Sequence, residues 1–154
     1  MPSKGKPTAA DSQLILRLYD LRREAVMRKA RAFLTTEFWP SSYDEFKAIA
    51  MAFGTEHNAY FRQVFSYWDM VAAMVLAGTI NEDLFFQTNG EPYFFWAKYK
   101  DFVPQTRKDF GNPDFLQYIE KLATKSTQAK ERVKRIETML KTRAAQMSAA
   151  KAGK

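Results

Sequence analysis

Apolar residues recur along this chain in steps of three and four. Leu14, Leu18, Leu21, Ala25 and Ala32 fall on one face of the first long run, with Arg17, Asp20, Glu24, Arg28 and Arg31 on the stripe opposite. After residue 54 the pattern sharpens into Phe61, Val64, Phe65, Trp68, Val71, Ala72 and Val75. Such spacing marks a helix buried along one side. No stretch sustains the period-two alternation of a half-buried strand, and β-branched residues are sparse. Phe94-Phe95-Trp96 is the one strand-like cluster, and Ala97-Lys98-Tyr99-Lys100 behind it restores a helical pattern.

Glycine and proline mark where the helices stop. Gly at 5, 54, 78, 90, 111 and 153 and Pro at 2, 7, 40, 92, 104 and 113 leave clean runs at 8–39, 41–53, 55–77, 79–89, 93–103 and 114–152. Inside a helix these residues cost about 1 and about 3 kcal/mol relative to Ala, so the runs read as helices and the gaps as turns. Ser42-x-x-Glu45 after Pro40 has the form of a capping box. Asn112-Pro113 supplies a cap followed by a proline at the first helical position. Gly78 before Asn81-Glu82, and Gly90 before Glu91-Pro92, end one helix and open the next. The expected fold class is all-α: a small helical bundle of five to six helices with a long amphipathic C-terminal helix.

That last helix has its own character. Phe115, Ile119, Leu122, Ser126, Ala129, Val133, Ile136, Leu140, Arg143 and Met147 alternate steps of four and three, a heptad seam. A continuous helix over 114–148 would be about 50 Å long, against about 30 Å for a small domain. Its far end is expected to project, offering Val133, Ile136, Leu140 and Met147 to another protein or to a second copy of the chain. The organisation expected is a disordered basic tail over 1–10, an aromatic-rich helical domain over 11–124, an extension of the heptad helix over 125–148 and a disordered tail over 149–154.

Composition narrows the class. The chain has 154 residues, 46% of them hydrophobic and 15% aromatic, enough for one domain with a core. It has no cysteine, which removes disulfides, thiolate nucleophiles and the common structural zinc sites. The stretch Met70–Ala77 is the longest without a charge or a breaker, far below the roughly 20 residues of a membrane span. No apolar segment of a secretion signal follows Lys4 and Lys6. A soluble, cytoplasmic protein is expected.

Charge is uneven. Of the net +7, residues 1–40 carry +4 and residues 121–154 carry +8, while the aromatic middle, 41–120, carries −5. Lys130, Lys134 and Lys141 share one side of the last helix, with Arg132 and Arg135 nearby. These five are candidate contacts to nucleic acid or an anionic membrane surface, where counterion release would drive binding. They also suit a solvated helix face.

Catalytic chemistry finds little support. His57 is the only histidine, and no Glu-x-x-His occurs, so a di-iron bundle of the ferritin type is unsupported and no metal or cofactor is expected. Phosphate-cradling loops, dinucleotide fingerprints and nucleophile elbows are absent. Asp69 sits among apolar neighbours, on one stripe with Arg62 and Ser66. A buried Asp69–Arg62 pair fixing helix register is one reading, and a ligand or general-acid site at Asp69 the other. Gly78-Thr-Ile-Asn-Glu-Asp mimics a helix-turn-helix, but a reading helix opening on Glu82 and Asp83 would repel DNA. The function expected is a non-enzymatic interaction or self-association module.

Phe65-Ser-Tyr-Trp-Asp, then Leu76-Ala-Gly-Thr-Ile-Asn-Glu-Asp-Leu84, then Trp96 with Phe102-x-Pro104, resembles an uncharacterised bacterial all-helical domain family. The resemblance covers about residues 45–120. It implies a helical fold with no assigned activity. Many members carry an N-terminal membrane helix, for which this sequence has no counterpart.

Overall fold

The computed structural model describes residues 5–154, and every regular element among them is helical. In chain order these are α1 (Ala9–Arg22), α2 (Ala25–Ala32), a π-helical turn (Phe33–Glu37), α3 (Tyr43–Ala50), α4 (Glu56–Leu76), α5 (Glu82–Thr88) and α6 (Glu91–Tyr99). A 3-10 turn (Lys100–Phe102), α7 (Val103–Asp109), α8 (Gln117–Thr124) and α9 (Thr127–Ala152) complete the chain. All-α is therefore right, and five to six helices is too few.

The surplus comes from side chains that break runs without glycine or proline. Glu24 turns its carboxylate onto the Val26 and Met27 amides and starts α2 afresh. Ser126 does the same for Ala129, so the heptad run splits at 125–126 into α8 and α9. Both residues are caps, and a strong cap competes with helix continuation. Pro104, read as a breaker, instead stands in the first turn of α7, where its missing amide costs nothing. Asn112 holds only a turn, through the Asp114 amide, and α8 begins at Gln117.

Other boundaries follow the expected chemistry. Thr8 and Asp11 form a capping box on α1, and Asn81 caps α5 through the Leu84 amide. Gly78 takes a left-handed φ of 80°, closing α4. Ser42 caps α3, but Glu45 reaches past it to the Ser41 amide. The tails differ from the expected disorder. Residues 1–4 of the N-terminal one lie outside the described residues, whereas Gly5 accepts from Asn81 and α1 starts at Ala9. At the other end α9 runs to Ala152.

The core is built around α4, whose Phe61, Val64, Phe65, Trp68, Val71, Ala72 and Val75 are all buried. α2, α3 and α8 pack on it directly, and α6 joins it to α9. Asn58 at the start of α4 is wholly buried and donates to the Ile49 and Ala50 carbonyls, satisfying the end of α3.

Asp69 has a structural task. α8 opens on Leu116, which is left-handed at φ 55° and offers no capping side chain. Asp69 Oδ1, reaching across from α4, accepts from the Tyr118 and Ile119 amides at 3.0 Å each. Burial raises its pKa while those two amides pull it back down. Arg62 is not its partner: it lies about two turns earlier on α4 and donates to Asn58 Oδ1. Asp69→Ala is expected to cost about 1–2 kcal/mol, the usual worth of a cap, in urea unfolding. An unchanged midpoint would mean that α8 is held by packing alone.

Candidate functional site

The π turn after α2 is the first building block. An extra residue in the turn pairs Phe38 N–H with the Phe33 carbonyl and leaves the following carbonyls without helical partners. α6 supplies the donors. Tyr99 Oη donates to Leu34 O at 2.6 Å, and Lys98 Nζ to the same oxygen at 2.7 Å. Trp39 folds back to donate Nε1 to Thr36 O, and its ring lies 4.0 Å from Lys98 Nζ. Burial pushes the Lys98 ammonium down to about 7. No sequence motif announces this arrangement; a lysine inside an aromatic run was its only trace.

Glu91, the first residue of α6, is the second. Its carboxylate accepts from Arg31 through Nε and Nη2, at 2.7 and 2.5 Å, and from Trp68 Nε1 at 3.1 Å. Arg22 stands 3.9 Å away. One side chain thus ties α1, α2 and α4 to the start of α6, where the helix dipole also favours a negative charge.

α9 closes the third side. Ala129, Val133 and Leu140 are buried and Ile136 is half-buried against the core, so this part of the seam does not project. Arg132 donates to Phe86 O at 2.6 Å, with its guanidinium 3.5 Å from the Phe86 ring centre. Glu137 pairs with Lys100. From Ile136 onward the helix and the π turn leave between them a cleft of about 840 Å³. Trp39 and Phe94 line one wall and Ile136, Met139 and Leu140 the other, with Thr35, Thr36, Glu91, Thr142, Arg143 and Gln146 completing it. Thr35 and Thr36 spend their hydroxyls on carbonyls of their own helix. Met139 is 55% exposed, and Arg143 has no ion-pair partner among the described residues.

The residues singled out in the sequence therefore separate. Val133 and Leu140 are used inside the fold, Ile136 and Leu140 edge the cleft, and Met147, the residue after Gln146, is half-buried. Of the basic set, Lys130, Lys134, Arg135 and Lys141 are exposed, while Arg132 is committed to Phe86. His57 stacks on Phe33 at 4.1 Å. Among the described residues no acidic or histidine cluster could hold a metal ion, and no helix is long and apolar enough to cross a membrane.

Neither the curated proteins nor the solved structures contain a match to this chain. A family model described as a domain of unknown function (DUF4760) matches residues 7–126, from the segment ahead of α1 to the Ser126 cap, so the chain belongs to that family and α9 lies beyond the matched part.

Proposed function

We propose that the protein is a non-enzymatic helical interaction module whose contact surface is the cleft under α9, rather than a bare projecting seam. The observation that carries this reading is an apolar cleft of about 840 Å³ left open between α9 and the Trp39–Phe94 wall. Pockets that bind are of this size and mostly apolar, with a few polar groups to fix orientation. A partner's apolar part would supply the packing that this wall lacks within the chain. A reducing compartment such as the cytoplasm suits a chain without cysteine. The second reading, an anionic partner on the outer face of α9, rests on Lys130, Lys134, Arg135 and Lys141, none of which has an ion pair among the described residues.

The test is uptake of an uncharged, environment-sensitive naphthylamine probe by the full chain. One saturable site per chain is expected, weakened at least tenfold in Met139→Glu, an exposed position whose change spares the core. Absence of a saturable site, or equal binding by the variant, would overturn the cleft as a contact surface.

A further inference from the structure

The cleft carries information about what fits it. Its α9 wall runs from Ile136 to Gln146, about 15 Å at the rise of a helix. An extended aliphatic chain laid along that wall has the same reach, in a cleft that is open to solvent rather than enclosed. The walls are aromatic and aliphatic at Trp39, Phe94, Ile136 and Met139, so the chain must be apolar.

The charges select the head. Glu91 is the one carboxylate on the lining, and Arg31 and the Trp68 indole already satisfy it. Arg143 is the one cation there, with no ion pair among the described residues, and Gln146 offers an amide beside it. A guanidinium matches a carboxylate with two parallel hydrogen bonds. We propose that the cleft binds a free, single-chain anionic amphiphile, a medium-length aliphatic carboxylate, with its chain along Trp39, Phe94, Ile136 and Met139 and its head on Arg143. This inference rests on the cleft being a contact surface and names what enters it.

The experiment is displacement of the naphthylamine probe from the full chain by monomeric octanoate, decanoate and dodecanoate, with dodecanol as the uncharged reference. Affinity is expected to rise about fourfold for each added methylene, the free energy of burying one such group. Dodecanoate is expected to bind about fivefold more tightly than dodecanol, and Arg143→Gln to erase that preference. Equal displacement by acid and alcohol, a preference that survives Arg143→Gln, or no dependence on chain length would overturn the proposal. Probe bound but not displaced by any carboxylate would overturn it too, while leaving the cleft a contact surface. Failure of the probe itself to bind would remove both. Vesicles of an anionic phospholipid serve as a last arm: no co-sedimentation is expected, because the site takes a free molecule and not a bilayer, and strong co-sedimentation lost in Arg143→Gln would assign Arg143 to a membrane surface instead.

Discussion

Glu91→Ala is expected to lower the unfolding free energy by about 2–4 kcal/mol, below the full cost of breaking a buried ion pair because this pair is part-buried. The Glu91 carboxylate is 13% exposed and Arg31 23%, so solvent replaces only part of what is lost. Three donors would be left facing the gap: Arg31 Nε, Arg31 Nη2 and Trp68 Nε1. Glu91→Gln should cost less, since an amide oxygen still accepts from one of them, although its NH2 group confronts the guanidinium. Pairing Glu91→Leu with Arg31→Met is expected to recover most of the loss, because the charge goes with its partner. Recovery should stop about 1–3 kcal/mol short, the penalty for an orphaned Trp68 indole N–H. Urea unfolding of the three variants measures this. If Glu91→Ala costs less than 1 kcal/mol, water reaches the junction and Glu91 does not hold the start of α6 to the bundle.

How the fold was legible follows from where its information sits. The period of the apolar positions made α4 plain, and Gly78 with Asn81 marked its end, because both signals are local. Glu24 and Ser126 broke helices through a single side chain on a backbone amide, which no change of composition reveals. The seam from Phe115 to Met147 kept its spacing across that break, since both segments face the same core. Periodicity reports a buried face and is silent on whether one rod or two carries it. Asp69 was recognisable as a carboxylate needing donors. Its donors are backbone amides 49 and 50 residues away, which no side-chain pairing along α4 could suggest. The resemblance over 45–120 falls within the family match at 7–126.

The cleft was the least legible feature, for a physical reason. It is defined by what is not packed: Met139, Arg143 and Gln146 sit at helical spacing, indistinguishable in sequence from a solvated face. Only the path of α9 over the π turn sets them opposite Trp39 and Phe94. The lining comes from two sources, Thr35, Thr36, Trp39, Glu91 and Phe94 from the family-matched part and Ile136 to Gln146 from α9 beyond it. A site assembled in this way can differ among proteins that share the bundle.

The wild-type protein is expected to gain about 3 kcal/mol of stability between pH 7 and pH 9.5, and Lys98→Met to show no such gain. In the folded chain burial holds the Lys98 pKa at about 7, against 10.5 for a free lysine. Between those values the unfolded chain binds a proton that the folded chain lacks, so stability rises with pH at about 1.4 kcal/mol per unit. Below pH 7 both states are protonated and the burial penalty is present in full. Above pH 10 the sign reverses, because burial raises the Tyr67 phenol to about 12 and Tyr99 well above its ordinary value. There the unfolded chain loses protons first. Lys98→Met leaves the Leu34 carbonyl still paired with Tyr99 Oη at 2.6 Å, so the variant should be at least as stable as wild type at pH 7. The contrary force is the attraction of the ammonium to Leu34 O, Thr35 O and the Trp39 ring. Parallel stability curves for the two proteins across pH 7–9.5 would show that these contacts keep Lys98 charged, and that the end of the π turn is capped by a permanent cation.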